Sequence, residues 1–377
     1  MMAIMVNAIL LALALPLLVG CGTVFSRPVS QVTYVAGVVA GNPGELHLFR
    51  LDSSTGALTA LTDSPKEIQV VNAVTPIVGV KSAGKLIVVA TMNAISVYKL
   101  NIETGLFEVS PNSPYRPSVN SNPGLAIDAL ETSSDGRWIF VGFRGTGGNF
   151  SLMTVISFDS TTGSFSEVIT KGVGIQNSNI TSLWLDPSER FLLVGSSDDQ
   201  GFYPMSFDAS SGFAQKLQLN AFQGTAMTHL TAAGLLPSGV VLTFSTTQFM
   251  PLQLSSAGVL SNASSALAIS TSNVAVRSDL SQAYIVNGAG DYSTYRVSST
   301  TGALQFMTTS SAGVSSSRSQ AQLDSSDEFL IATPASGVGF KVFRVDEVTG
   351  GLQAVSGSPF GNKAMEYPRT LRGAIRI

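Results

Sequence analysis

Short segments in which apolar and polar residues alternate recur along the whole chain. Examples are "ISVYKL" (residues 95–100), "MTVISF" (153–158) and "FKVFRV" (340–345). A period of two residues is typical of β-strands with one better-buried face. Upstream of such segments stands a tight turn followed by a strongly apolar strand, as in "LDPSERFLLVGS" (185–196) and "LDSSDEFLIATP" (323–334). The pattern therefore predicts an all-β chain built from antiparallel hairpins.

A turn that ends in glycine follows the alternating segment seven times. In most copies Asp or Asn stands four residues before the glycine, where its side chain can accept hydrogen bonds from backbone N–H groups of the turn. One copy has Leu254 in place of the Asp or Asn, and Ala257 in place of the Thr or Ser that usually precedes the glycine. We expect this copy to be the degenerate repeat. Neighbouring turns are about 49 residues apart on average, which is a period typical of propeller blades. The glycines are Gly56, Gly105, Gly163, Gly212, Gly258, Gly302 and Gly350.

Each repeat holds four strands, and seven such repeats predict a seven-bladed β-propeller over residues 31–377. The chain enters it with an apolar strand at residues 31–37 that has no inner strand before it, and it ends with an inner strand at 367–377. We expect the last strand to pair into the N-terminal blade and close the ring. An outer-membrane β-barrel, the competing all-β interpretation, would repeat in units of two strands rather than four.

The N-terminal segment "MMAIMVNAILLALALPLLVGC" has an apolar stretch that ends at the only cysteine of the chain, Cys21. The residues Leu-Val-Gly-Cys at 18–21 resemble a bacterial lipobox, in which the thiol takes up a diacylglyceryl group. They predict a lipoprotein signal peptide at 1–20 and a lipidated Cys21 with a short tether over 21–30. An uncleaved transmembrane helix is the alternative, and the absence of Lys and Arg before the apolar stretch departs from the lipoprotein pattern. With Gly22 after the cysteine, we expect an extracytoplasmic protein anchored in the outer membrane of a Gram-negative bacterium.

Composition excludes several classes of function. Charged residues make up only 12% of the chain and mean hydropathy is +0.30, which argues against disorder. The net charge of −3 and the absence of a basic run argue against nucleic-acid binding. A single cysteine and two histidines exclude a disulfide framework and a Cys-rich or His-rich metal site. We expect a monomer without a cofactor.

The repeats resemble the lactonase-type seven-bladed propellers, the 6-phosphogluconolactonase-like family. The resemblance spans about residues 31–377 and rests on residues of turns and core, so it implies the fold and does not carry over a catalytic residue. For activity it implies the hydrolysis of lactones. The matching segments are Asp186-Pro187-Ser188, Arg190-Phe191-Leu192, Asp346, Thr349-Gly350 and "VSGSPF" at 355–360.

The candidate site lies where loops between blades, and loops between the second and third strands, meet the central channel. His229 or Glu366 could act as a base, and an arginine could hold a carboxylate or phosphate with two hydrogen bonds. The alternative is that these are solvated loop residues with local partners. The arginines are Arg116, Arg318 and Arg369, and the candidate rim residues are Asp198, Asp199 and Asp291.

Two further features have competing interpretations. The pair Asp198-Asp199, or the group Asp324, Asp327 and Glu328, could bind Ca²⁺, although Asp-rich hairpin tips are common without a metal. His47 falls in an alternating strand, which predicts a packing role.

Three functions remain open. We favour a binding or scaffold module that is held on the membrane by its lipid and meets a protein or carbohydrate at the propeller face. A lactone hydrolase is the alternative implied by the family resemblance. A structural part of a surface complex is the third. Arg and His clustered at the channel would favour the enzyme, and an exposed apolar patch would favour a partner.

The first prediction concerns Cys21. Replacing its nucleophilic thiol, as in Cys21→Ser, should leave a chain that is unprocessed or carries no acyl group. Metabolic labelling of cells with a radioactive fatty acid measures this, and normal labelling of the variant would contradict lipidation.

Overall fold

The computed structural model contains strands and turns. No helix in the part of the chain that it describes has the length and apolarity needed to span a membrane. The described residues are 29–41, 43–68, 76–101, 103–118, 124–145, 152–172, 179–196, 201–217, 222–223, 231–245, 247–269, 273–315 and 321–376.

The strands of the first half of the chain are grouped by fours. They are β1 (Val29–Val39), β2 (Gly44–Leu51), β3 (Leu58–Ala60), β4 (Lys66–Ile68), β5 (Ile77–Ala83), β6 (Leu86–Thr91), β7 (Ile95–Asn101), β8 (Leu106–Val109), β9 (Leu125–Thr132), β10 (Trp138–Gly145), β11 (Leu152–Asp159), β12 (Ser164–Gly172), β13 (Ile180–Leu185), β14 (Phe191–Ser196), β15 (Gly201–Asp208) and β16 (Phe213–Lys216).

The second half repeats the arrangement. Its strands are β17 (Phe222–Gln223), β18 (Thr231–Leu235), β19 (Val240–Phe244), β20 (Phe249–Leu254), β21 (Leu260–Asn262), β22 (Val274–Val276), β23 (Gln282–Val286), β24 (Tyr292–Val297), β25 (Leu304–Ser310), β26 (Ala321–Leu323), β27 (Phe329–Ala332), β28 (Val338–Val345), β29 (Leu352–Ala354), β30 (Phe360–Ala364) and β31 (Glu366–Arg376).

Within the described residues these strands form seven antiparallel sheets, the blades of a propeller. Blades 2 to 6 are β5–β8, β9–β12, β13–β16, β18–β21 and β22–β25, and blade 7 is β26–β29. The first strand of each blade is its inner strand. The short strands β4, β17 and β30 pair with the third strands β2, β15 and β28 of their blades. The predicted seven-bladed propeller is therefore confirmed.

Blade 1 joins the two ends of the described chain. Its order is β31-β1-β2-β3, so the C-terminal strand supplies the inner strand. β31 pairs antiparallel with β1 from Val29 opposite Arg376 to Val38 opposite Glu366. This pairing covers the edge of β1 that would otherwise be open. Ring closure by the last strand is confirmed.

The core is divided among the spaces between blades. Seven apolar clusters occur among the described residues, one between each pair of neighbouring blades. The strand β14, Phe191–Ser196, is buried along its whole length. Its residues Leu192 and Val194 pack towards blade 3, whereas Phe191 and Leu193 pack towards blade 5. A strand buried on both faces explains why these segments are apolar throughout.

The glycine turns have the predicted structure. The Asp52 carboxylate accepts hydrogen bonds from the backbone N–H groups of Ser54 and Thr55, each at 2.9 Å. Gly56 has a φ of +77°, in the left-handed region that favours glycine. A Cβ added there would lie 2.4 Å from a ring carbon of Phe329 in blade 7. Glycine thus closes the turn and also allows the turn to pack directly against the neighbouring blade.

The degenerate turn is one residue shorter than the others. The Gly258 N–H donates to the Ser255 carbonyl three residues earlier, whereas the Gly56 N–H donates to the carbonyl four residues earlier. Gly258 also has a φ of +77°. The hydroxyl of Ser255 accepts a hydrogen bond from the Val259 N–H at 3.0 Å. A serine one position later therefore replaces the aspartate that the sequence lacks at Leu254.

The second prediction concerns ring closure. Deleting residues 369–377 should remove most of the β1–β31 ladder and expose an edge strand, so we expect loss of cooperative thermal unfolding and aggregation. Arg372→Gln, which changes an exposed side chain of the same strand, is the control and should melt like the unaltered protein. A truncated chain with an unchanged melting curve would show that this pairing does not stabilise the ring.

Candidate functional site

The inner strands surround a central channel, and five of those described carry a β-bulge near the same end. The ladder skips one residue at Val78 in β5, Asp128 in β9, Thr181 in β13 and Ala233 in β18. Where β31 pairs with β1, two residues of β31, Tyr367 and Pro368, lie opposite a single residue of β1. A bulge leaves one residue out of the ladder and changes the direction of its side chain.

Four of these bulge residues line one cavity of about 380 Å³, which we call the mouth cavity. They are Val78, Asp128, Thr181 and Tyr367. Tyr367 has a φ of +53°, which is unfavourable for a residue with a side chain and is found mostly where the surrounding structure imposes it. The bulges therefore present both polar and apolar groups to the same space. The other polar residues of the mouth cavity are Lys81, Glu131, Arg144, Ser182 and Arg369.

An ion pair at the channel joins the neighbouring blades 2 and 3. The Lys81 Nζ lies 2.9 Å from the Glu131 Oε2, and the Glu131 side chain is only 11% exposed. The other carboxylate oxygen of Glu131 accepts the backbone N–H of Thr132 at 2.9 Å. A buried carboxylate requires such partners because it has lost its water. Removing Lys81 would therefore take away the ion-pair partner of Glu131 and leave Arg369 as the cation that still interacts with it.

A second, looser pair lies at the rim of the mouth cavity. The Arg144 Nη2 is 3.9 Å from the Asp128 Oδ1, and the Arg144 side chain is 45% exposed. At this distance the two groups attract each other without a direct hydrogen bond. The guanidinium of Arg144 therefore keeps donors that a ligand can use.

Arg369 lies deeper in the channel. Its Nε donates to the Val80 carbonyl at 2.5 Å, and its Nη1 donates to the Pro368 carbonyl at 2.7 Å. Burial lowers the pKa of Arg369 to about 10, so the side chain remains charged at neutral pH. These bonds connect the closing strand β31 to blade 2.

A second cavity of about 590 Å³, the rear cavity, extends towards the turns that carry Ser278 and Asp327. Lys81, Glu131 and Arg369 line both cavities. These three side chains thus lie at the junction between the two halves of the channel.

Two hydroxyl groups in the mouth cavity have no protein partner. Thr181 Oγ1 and Ser182 Oγ are buried and make no hydrogen bond. A buried polar atom without a partner costs about 1–3 kcal/mol. Thr154 and Tyr292 also carry unpaired hydroxyls, but both are fully buried and neither lines the mouth cavity. Thr181 and Ser182 are therefore residues of the mouth cavity whose hydroxyl oxygens are turned away from solvent and lack a protein partner.

The structure describes four of the residues that the sequence nominates for this site. Arg369 lines the mouth cavity, whereas Arg116 and Glu366 are exposed and are not part of its lining. The Asp291 Oδ1 accepts the Ala312 N–H at 2.9 Å, so this carboxylate orders a loop of blade 6. Arg116 and Glu366 stay predictions as ligand contacts. The other nominated residues, Cys21, His229, Arg318, Asp198 and Asp199, lie outside the described residues.

The candidates for Ca²⁺ binding have structural partners. Asp324 accepts the backbone N–H groups of Ser326 and Phe329 at 3.1 and 2.8 Å. Asp327 accepts the N–H and hydroxyl of Ser278 in the neighbouring blade, at 2.9 and 2.6 Å. In the described part of the chain, no three His, Cys, Asp or Glu side chains come together as potential metal ligands.

His47 lies on β2 and is 9% exposed. Its Nε2 lies 2.8 Å from the Glu45 carboxylate. This placement agrees with the packing role that the alternating strand predicts.

Sequence reasoning missed most of the mouth cavity. Lys81, Asp128 and Glu131 sit within segments that become inner strands, next to the repeated turns. A charged residue within an otherwise apolar inner strand is the signal that could have pointed to the channel. Thr181 and Ser182 carry no such signal, because their exposure to the cavity depends on the bulge.

Many solved structures are similar to this chain, and they include the following three. A putative 6-phosphogluconolactonase from Bacteroides fragilis NCTC 9343 has a TM-score of 0.69 and 15% identity, covering 93% of this chain and 99% of its own. The periplasmic gluconolactonase of Pseudomonas aeruginosa has a TM-score of 0.66 and 12% identity, covering 91% and 99%. A putative 6-phosphogluconolactonase from Bacteroides uniformis ATCC 8492 has a TM-score of 0.65 and 15% identity, covering 90% and 99%.

The fold is that of the lactonase-type propellers. At 12–15% identity these likenesses establish the fold alone. The sequence matches no protein-family model and no curated protein. The chemistry has to be argued from the mouth cavity itself.

The third prediction tests the unpaired hydroxyl of Thr181. Thr181→Val replaces an unsatisfied polar atom by a methyl group, so the free energy of unfolding should be unchanged or slightly higher without ligand. Thr294→Val is the matched control, since the Thr294 hydroxyl is buried and donates to the Gly350 carbonyl at 2.9 Å. The control should lose about 1 kcal/mol in denaturant unfolding. An equal loss for both variants would show that Thr181 has a structural partner.

Proposed function

We propose that this protein is a lipid-anchored, extracytoplasmic binding propeller that holds a small, hydroxylated, anionic ligand in the mouth cavity. The observation that carries the proposal is the pair of unpartnered hydroxyls, Thr181 and Ser182, in a cavity that also contains the loosely paired Arg144. Bulges at functional sites commonly re-aim side chains in this way. We expect the Thr181 and Ser182 side chains to rotate towards a bound ligand, whose hydroxyl groups would then pair with theirs.

The net charge of the mouth cavity favours an anionic ligand over a cationic one. The mouth cavity contains three cationic side chains, Lys81, Arg144 and Arg369, and two carboxylates, those of Asp128 and Glu131, so its formal charge is +1. Lys81 is neutralised by Glu131, and Arg369 is held by backbone carbonyls. Arg144 is therefore the donor best placed to bind a ligand carboxylate, with the paired geometry of a guanidinium.

The extracytoplasmic location has two supports. The segment ending at Cys21 resembles a lipoprotein signal, and two or more acyl chains are enough for stable membrane anchoring. One of the similar structures, the gluconolactonase of Pseudomonas aeruginosa, is described as periplasmic. Placement in the outer membrane rests on Gly22 after the cysteine.

Lactone hydrolysis is the second candidate. The Asp128 carboxylate could act as a base towards water, and Arg144 or Lys81 could stabilise the oxyanion that forms when water attacks a lactone carbonyl. These groups line one cavity, and the similar solved structures include a putative 6-phosphogluconolactonase and a periplasmic gluconolactonase. The Asp128–Arg144 pairing at 3.9 Å favours this candidate, because it places a carboxylate and a guanidinium side by side at the rim of one cavity.

The fourth prediction tests both candidates with one set of ligands. Calorimetric titration with gluconate, glucose and gluconolactone should show binding of gluconate and much weaker binding of glucose. Arg144→Gln removes a charged hydrogen-bond donor and should weaken gluconate binding about tenfold or more. Arg296→Gln changes an exposed arginine outside the mouth cavity and should leave the affinity unchanged.

The outcomes separate the two functions. Equal affinity for gluconate and glucose, or equal losses in the two arginine variants, would contradict an anionic ligand at Arg144. Turnover of gluconolactone that Asp128→Asn abolishes would establish hydrolysis at this site. Turnover that Asp128→Asn leaves intact would place the reaction elsewhere.

A further inference from the structure

We infer that the anchored propeller turns the mouth of its channel away from the membrane and its opposite face towards the lipid. The opposite face, here called the anchor face, is formed by the turns after the inner strands and by the glycine turns, such as residues 52–56 and 324–328. The inference rests on the lipid anchor proposed at Cys21 and adds the orientation of the cavity. It follows from where the described chain enters the ring.

The chain enters at the anchor face. The first residue of β1, Val29, pairs with Arg376 at the end of β31, whereas Val38 pairs with Glu366 at its beginning. Tyr367, the next residue, lines the mouth cavity. Val29 and Val38 therefore mark the two ends of the channel. Nine residue steps of a strand separate them by about 30 Å.

The tether is too short to invert the propeller. Cys21 and Val29 are eight residue steps apart, so a fully extended tether reaches at most about 29 Å. To bring the mouth to the lipid, the tether would first have to pass outwards across β2 and β3, which is about 10 Å. It would then have to run back along the blade for about 30 Å more. The required path of about 40 Å exceeds the reach of the tether.

The anchor face also carries ionised carboxylates. Hydrogen bonds from the Ser210 and Ser211 hydroxyls lower the pKa of Asp208 to about 2. Asp159 and Asp346 in equivalent turns have lowered pKa values chiefly because backbone N–H groups of the turn donate to their carboxylates. Their negative charge opposes close contact with anionic lipid head groups, so the short tether, and not charge attraction, is what keeps this face towards the lipid.

This orientation restricts the ligand. A molecule reaches the mouth cavity from the aqueous side, at the end of the propeller that lies farthest from the bilayer. A ligand whose acyl chains remain in the bilayer cannot reach it, because the whole depth of the propeller lies between. Water-soluble ligands are thus the class that the anchored protein can bind.

The fifth prediction tests the orientation with two dye positions on the same blade. Ala289 lies in the β23–β24 turn at the mouth end, and Thr300 lies in the β24–β25 turn on the anchor face. Both are exposed, and the six-residue strand β24 holds them about 20 Å apart. Ala289→Cys and Thr300→Cys each introduce one thiol for a donor dye into the full-length acylated protein. Vesicles with an acceptor dye on lipid head groups then report the distance of each position from the membrane.

We expect greater loss of donor fluorescence to the acceptor at position 300 than at position 289. Equal loss at both positions, or greater loss at 289, would overturn the inference. The unaltered protein provides the control for the anchor, since an acylated Cys21 takes up no dye and the protein floats with vesicles. Dye uptake by the unaltered protein together with failure to float would overturn the proposed anchor, and the orientation with it.

Discussion

Burial of both faces of every blade against its neighbours is the interaction on which the rest of this structure depends. The apolar second strands send alternate residues to opposite sides, as Leu192 and Leu193 do, so each blade contributes to two clusters. A blade without a neighbour would expose one of these faces to water. The core is therefore satisfied only when the ring is complete. This is why the first blade takes its inner strand from the other end of the chain, as β31 pairs with β1.

A closed ring also determines what the channel can contain. The inner strands converge on the axis, where apolar packing between blades ends and polar groups meet water. Bulges at Asp128 and Thr181 interrupt the ladder there and aim side chains into the channel. The Lys81–Glu131 ion pair compensates the burial of a carboxylate at the junction of the two cavities. Ring stability and the site thus share the same strands, and Arg369 contributes to both.

Local chemistry made the fold predictable from the sequence. An aspartate that accepts backbone N–H groups and a glycine at positive φ, as at Asp52 and Gly56, define a turn without reference to the rest of the chain. Their repetition was enough to predict the blade count, and the incomplete blades at residues 31–37 and 367–377 predicted the ring closure. The mouth cavity was not predictable in the same way, because Thr181 faces it through a register shift of one residue. Such a shift depends on the partner strand, which no short sequence pattern records.

The difference between residues that form the fold and residues that line the cavity also limits what a similar fold can say about function. The residues shared with lactonase-type propellers form turns and core, which any closed ring of seven such blades requires. The cavity residues Asp128, Arg144 and Thr181 are under no such requirement, so a structure at 12–15% identity can keep the ring and change the ligand. The unpaired hydroxyls of Thr181 and Ser182 are therefore the better guide. They cost stability in the protein without a ligand, and the ligand that we propose for the mouth cavity would recover that cost.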